Sequence, residues 1–214
     1  MKNISRHKEE NEVSDKASLS FGDVPVGELN ELSLNILDIA ENSVAAGATR
    51  IEIELQETEE TLSVTVSDNG CGMTADELKM VTDPSFTTRR TRQKGLGVPL
   101  FKLAAEKTGG EFYITSRSRS EFLREHGTVT GAIFRKDSIH FVPLGDIVAA
   151  VRALITGNDG IDFLFTHEIT TEHRKASVKL DTAELRSRLG DVSAFDPDIL
   201  IMIGNYLTEQ YKTE

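Results

Sequence analysis

Three groups of residues in this chain have types and spacings suited to chemistry. Asp38 and Asn42 stand four apart, one helical turn. Asp68 heads the run Asp68-Asn69-Gly70-Cys71-Gly72-Met73, and Gly95-Leu96-Gly97 follows a cluster of basic residues ending at Lys94. A fixed carboxylate accepts a hydrogen bond from the exocyclic amine of adenine and repels the oxygen that guanine carries there. Gly70 and Gly72 would let the backbone approach such a base with no Cβ in the way. Asp-Asn-Gly is also an ordinary hairpin turn, and the local residues leave both readings open. A calcium loop is excluded: two of its ligand positions would be Gly70 and Gly72, and its turn glycine would be Met73.

Gly95-Leu96-Gly97 offers backbone N–H groups at a helix N-terminus, a natural phosphate seat. It is not a dinucleotide fingerprint, since Leu100 stands where the third glycine belongs, and no Gly-Lys-Ser/Thr follows to make a P-loop. Asn42 can give its carbonyl oxygen to Mg2+, a hard ion that prefers oxygen. Asp38 can orient or deprotonate a water aimed at a terminal phosphate. The plain alternative for this pair is a cap or a solvated surface.

The surrounding pattern supplies elements to position these groups. From Glu28 to about Ala46, Leu29, Leu32, Ile36, Ile39, Ala40 and Val44 recur at helical spacing, with the small Ser43 on the same side, and Gly47 ends the helix. Glu31, Asn35, Asp38 and Asn42 share another face of it; Leu34 and Leu37 flank them, which suggests a cavity lining. Residues 50–55 and 62–67 alternate apolar and polar and read as an antiparallel hairpin, with 56–60 as its polar turn. Thr74 and Glu77 outline a capping box for a short helix to Val81. The stretch 82–94 lacks periodicity. A helix then spans about Val98 to Thr108, with Pro99 in its first turn and Gly109-Gly110 after it. Strands follow at 112–115 and 127–134. Helices are expected at 144–155, 182–189 and 198–211, and a strand pair at 161–169 and 176–180.

The 214 residues suffice for one substantial domain plus an extension. The expected division is a mobile polar tail over 1–20, a main domain over 21–136 and an α+β extension over 137–214. A net charge of −11 argues against a nucleic-acid-coating protein. The single cysteine, Cys71, excludes an internal disulfide framework and fits a reducing cytoplasm. No apolar run approaches the ~18 residues of a membrane span, and the N-terminus lacks the apolar core of a secretory signal.

The order of the motifs is more informative than any one of them. A D-x-x-x-N helix is followed by a strand ending in D-x-G-x-G, a basic loop, G-x-G opening a helix, a strand and a Gly-Thr strand. This resembles the GHKL superfamily of ATP-binding domains: gyrase B subunits, heat-shock chaperones, histidine kinases and MutL mismatch-repair proteins. Residues 38–48, from Asp38 through Asn42 to Ala48, look like the mismatch-repair asparagine box. Phe86-Thr87-Thr88 and Lys94-Gly95-Leu96-Gly97-Val98-Pro99-Leu100 look more like the histidine-kinase version. The resemblance covers about Glu28 to Arg135. It implies a Bergerat fold, a two-layer α/β sandwich, here with the small C-terminal extension.

By that resemblance ATP and Mg2+ are the ligands. Asp68 takes the adenine, Gly72 backs it and Thr128 reaches it through water, with Gly70 and Met73 completing that loop. Asn42 holds the metal. Gly95 and Gly97, with Lys94, Leu96 and Val98, form the phosphate seat, and Phe86, Thr87 and Thr88 belong to a lid over 82–94. Asp38 is the catalytic candidate, although the hydrolysing branch usually has glutamate there and histidine kinases asparagine. Ala45 is apolar where relatives often carry lysine or aspartate. His7 lies too close to the first helix for a phospho-acceptor hairpin, and His126, His140, His167 and His173 are expected to be non-catalytic. The function expected is a cytoplasmic Mg-ATP-binding protein with a regulatory or signalling role and possible slow ATPase activity. Its protein partner would be met through the extension. A trans-acting kinase resembling anti-sigma-factor serine kinases and a non-catalytic nucleotide-gated module are the alternatives.

Overall fold

The computed structural model describes residues 31–82, 97–189 and 196–212. The tail over 1–20, Phe86, Thr87, Thr88, Lys94, Gly95, Leu96 and nearly all of the expected lid lie outside these. Among the described residues the chain runs α1 (Leu32–Ala45), β1 (Arg50–Thr58), β2 (Thr61–Asp68), α2 (Ala75–Val81), α3 (Gly97–Lys107), β3 (Glu111–Arg117) and β4 (Gly127–Arg135). It continues with α4 (Ile147–Gly157), β5 (Asp162–Thr170), β6 (Lys175–Asp181), α5 (Thr182–Leu189) and α6 (Pro197–Lys212).

The six strands form one sheet in the order β3-β4-β2-β1-β5-β6. β1 and β5 are parallel; every other neighbour is antiparallel. Period-two alternation puts Ile51, Ile53 and Leu55 of β1 beside Val64 and Val66 of β2 and Phe163 and Phe165 of β5, all buried on one face. Leu32, Ile36 and Ile39 of α1, Phe101 of α3, Leu154 of α4 and Leu207 of α6 complete that core. The result is the mixed α/β sandwich that the motif order implied.

The described residues after Lys136 contribute to the same sheet and core as the preceding half. β5 enters beside β1 through a parallel register running from Arg50↔Asp162 to Thr58↔Thr170. The same segment caps the helix that carries Asp38 and Asn42. Leu32 N–H donates to Pro143 O at 2.9 Å and Ser33 N–H to Leu144 O at 2.8 Å, so two of α1's free amides find backbone partners there.

Three local expectations change. Helix α1 starts at Leu32, because Glu31 is extended, with φ −153° and ψ 139°. Glu31 therefore leaves the Asn35–Asp38–Asn42 face, and its carboxylate instead accepts from Ser33 Oγ and Asp146 N–H. The helix expected from Leu144 starts at Ile147, where Asp146 caps Ala149 N–H at 2.8 Å. β1 runs on to Thr58 because β5 pairs with it that far, so Gln56 and Glu57 are strand residues. The Thr74–Glu77 capping box is present as expected.

Candidate nucleotide site

β2 delivers Asp68 to its last position, opposite Ile51 on β1 and Thr128 on β4. The carboxylate is oriented from two sides. Ser43 Oγ, from the buried face of α1, donates to Oδ2 at 2.7 Å, and Gly70 N–H donates to Oδ1 at 2.8 Å. Each oxygen has two lone pairs, so one more donor can be accepted on each. Ser43 was legible only as a small residue among apolar ones. A hydroxyl on the buried face of a helix needs a partner, and that was the available signal.

The glycine loop is held by close backbone packing. Gly72 has φ +63°, and a Cβ there would run into the Arg117 carbonyl. Gly127 has φ +133°, and its missing Cβ leaves room for the Asp68 carbonyl. Both positions require glycine by conformation as well as by space. Asn69 fastens the loop to the start of β1: its Oδ1 accepts from Thr49 N–H and Arg50 N–H, and its Nδ2 donates to Thr49 Oγ1.

Thr128 faces the same end of the sheet. Ser116 Oγ accepts from Met73 N–H at 2.8 Å, donates to Gly127 O at 3.0 Å and lies 2.8 Å from Thr128 Oγ1. With Ser116's one proton on Gly127, Thr128 is the donor in their contact, which leaves its own oxygen as an acceptor. Ser116 lies one residue past the strand expected at 112–115, within β3 as it forms, and carried no signal of this role.

Asp38 and Asn42 are exposed on α1, and Gly97 begins α3 against them. A Cβ built on Gly97 would lie 3.2 Å from Asp38 Cβ and 3.7 Å from Asn42 Nδ2. The first turn of α3 thus approaches the D-x-x-x-N face closely, where a larger residue would push it away. Phe101, one turn later, anchors the helix: it is fully buried and meets Phe134 edge-on at 5.5 Å and Phe112 at 6.4 Å. Aromatic pairs of this kind add about 0.5–1.5 kcal/mol beyond burial. Val98 turns into the core, so it offers only backbone to a ligand. Glu41 is exposed, adjacent to Asn42 and about 100° away around the helix.

One end of the sheet therefore gathers a carboxylate with spare acceptor capacity, a hydroxyl acceptor, and an amide and carboxylate beside a helix N-terminus. Positive helix-end potential and free N–H groups suit an anion. Among the described residues no three His, Cys, Asp or Glu side chains could hold a metal by themselves, and no helix is long and apolar enough to cross a membrane.

Comparison with known proteins finds relatives of two kinds, sensor proteins and mismatch-repair proteins. A putative sensor protein of Shewanella frigidimarina is 31% identical over 90 residues, covering 42% of this chain and 14% of that protein. A probable C4-dicarboxylate sensor kinase of Bacillus subtilis is 30% identical over 69 residues, covering 32% of this chain and 13% of its own. DNA mismatch repair protein MutL of Bartonella quintana is 36% identical over 89 residues, covering 41% and 13%. The matches thus span about one seventh of these relatives' length. Among solved structures, the Aquifex aeolicus MutL ATPase domain complexed with ADP aligns with TM-score 0.42 and 15% identity over 75% of this chain and 67% of that one. A model of the histidine kinase-, DNA gyrase B- and HSP90-like ATPases matches residues 28–137, the span holding Asp38, Asn42, Asp68, Gly97 and Thr128, and the chain belongs to that family.

Proposed function

We propose that this protein binds Mg-ATP at the Asp68 end of the sheet and uses it in a regulatory or signalling role, with slow hydrolysis. The observation that carries the reading is the two-sided grip on Asp68 by Ser43 and Gly70. Those donors fix the carboxylate and leave lone pairs for an adenine amine. Thr128, which donates to Ser116 and so keeps its own oxygen as an acceptor, would add water-mediated affinity for the base. The triphosphate would extend toward Gly97 and the start of α3. Mg2+ would arrive with the phosphates and take Asn42 Oδ1 as a protein ligand, since among the described residues no cluster of His, Cys, Asp or Glu could hold it alone. Bound there, it would neutralise phosphate charge.

Asp38 is the group for orienting or deprotonating water. It is one methylene shorter than glutamate, which argues for slow rather than efficient turnover. Part of α6, with exposed Ile201, Met202 and Tyr206, favours a protein partner on the C-terminal half. Incubation with γ-labelled ATP, alone and with cell extract, tests the reading. Slow release of free phosphate by the protein alone, lowered at least tenfold in Asp38→Asn with ATP binding kept, is the expected result. Label appearing on a second protein would replace hydrolysis with phosphotransfer. No ATP binding at all would sink the proposal.

A further inference from the structure

The loop that follows Asp68 is gripped from a second direction by a histidine to which the adenine reading gives no role. His126 immediately precedes β4, and its Nδ1 lies 2.6 Å from Gly70 O. A carbonyl oxygen only accepts, so Nδ1 carries the hydrogen and donates. Gly70 O belongs to the Gly70–Cys71 peptide. The N–H of that same peptide, on Cys71, donates to Ala46 O at 2.9 Å. One peptide unit is therefore tied at both polar ends, to the C-terminal end of α1 and to the start of β4. Turning it over would break both bonds at once.

The peptide has little freedom otherwise. A Cβ on Gly70 would sit 2.8 Å from Ala46 Cβ, so the backbone is pressed against α1's end. The next carbonyl, Cys71 O, accepts from Arg119 N–H at 2.7 Å. Gly70 N–H, on the preceding peptide and joined to this one through Gly70 Cα, donates to Asp68 Oδ1. The direction of that donor decides which lone pair of the carboxylate stays free.

We propose that His126 is a positioning residue for base selection. By holding Gly70 O it fixes the amide that orients Asp68, and so sets how well the carboxylate tells an amine from a carbonyl. The proposal rests on Asp68 being the adenine acceptor. It is independent of what happens to the γ-phosphate.

Three variants separate donor position from bulk. His126→Asn places an amide N–H near the place of Nδ1. His126→Gln places its amide near Nε2, one atom too far. His126→Ala has no donor. The readout is the rise in melting temperature with Mg-ATP minus the rise with Mg-GTP, beside the melting temperature of each protein without nucleotide. Wild type and His126→Asn are expected to keep the ATP-over-GTP difference. His126→Gln and His126→Ala are expected to lose more than half of it. A full difference in His126→Ala, or equal behaviour of the Asn and Gln variants, overturns the proposal and leaves the adenine reading standing. A loss that tracks the nucleotide-free melting temperature instead of donor position also overturns it. No ATP-over-GTP difference in wild type removes the adenine reading itself, and the role of His126 with it.

Discussion

Two carboxylates face the helix layer from opposite ends of one sheet, and they are treated in opposite ways. Asp68 ends β2 opposite Ile51, whereas Glu57 lies six residues along β1 opposite Leu62, roughly 20 Å away at strand spacing. Asp68 has two neutral donors and acceptor capacity left over. Glu57 has one cation and a buried ring on it. Lys136 Nζ is 2.8 Å from its Oε1, and His167 Nε2 is 3.3 Å from its Oε2. His167, only 1% exposed, is in turn 2.8 Å from the Tyr211 hydroxyl through Nδ1. If Tyr211 donates to Nδ1, the ring hydrogen sits on Nε2 and points toward Glu57. At 3.3 Å that contact falls short of a hydrogen bond. The shorter Lys136 contact is the firmer one.

The His167 ring, and after it Lys136, hold the Glu57 carboxyl down to about 2 against the opposing effect of burial. Burial first, with the Glu57 charge behind it, pushes the Tyr211 hydroxyl up. This end of the sheet uses its polar groups on one another. It ties β1, β5, the turn after β4 and the last helical turn together, with Arg174 reaching the Tyr211 carbonyl as well. The contrast teaches that residue type does not distinguish a site from a strut. Unused bonding capacity at an accessible place does.

Breaking the strut has the largest expected effect. His167→Ala removes a buried ring and leaves Tyr211 without its partner. It should cost about 2–4 kcal/mol, or roughly 5–15 °C in melting temperature for a chain of this size. The ATP-over-GTP difference should survive. Its disappearance would show the two ends to be coupled and would blur the comparison.

Acid probes the same end more gently. Glu57's folded value lies below the unfolded 4.5, so its contribution is complete above that pH. It is lost as pH falls toward about 2. The loss amounts to at most about 3 kcal/mol. Denaturant unfolding from pH 5 to pH 2 checks this: Glu57→Gln should flatten that part of the stability profile, and an unchanged slope would remove Glu57 as its source.

The smallest effect on stability should come from Ser43→Ala. It removes one donor from Asp68, worth about 1.5–3 kcal/mol when the acceptor is charged. Because the carboxylate stays accessible to water, most of that should appear as weaker ATP binding, on the order of tenfold, read by titration calorimetry. A large fall in nucleotide-free stability with unchanged affinity would make Ser43 a structural residue like His167.

Much of this layout was legible in the sequence because it is local. The alternation of Leu62, Val64 and Val66, the Thr74–Glu77 box and the glycines after Asp68 each act within a few residues, so spacing exposes them. Their order then identified the family. What stayed hidden joins distant residues. Ser43 meets Asp68 across 25 positions, His126 meets Gly70 across 56 and His167 meets Tyr211 across 44. The parallel entry of β5 beside β1 is of the same kind. It turned Glu57 from an expected turn residue into a half-buried strand residue, and no periodicity in residues 56–60 could reveal that. His167 sat in an expected strand, but its partner lies in the last helix.

Asp68 is proposed to select adenine through an unused acceptor. The direct measurement is the melting-temperature rise with saturating Mg-ATP and Mg-GTP, for wild type and Asp68→Asn. Wild type should rise by roughly 5–10 °C with ATP at a hundredfold excess over its dissociation constant, with little rise for GTP. Asp68→Asn, which replaces one acceptor oxygen by a donor amide, should lose the ATP preference. Equal rises for the two nucleotides in wild type, or an undiminished ATP preference in Asp68→Asn, would contradict it.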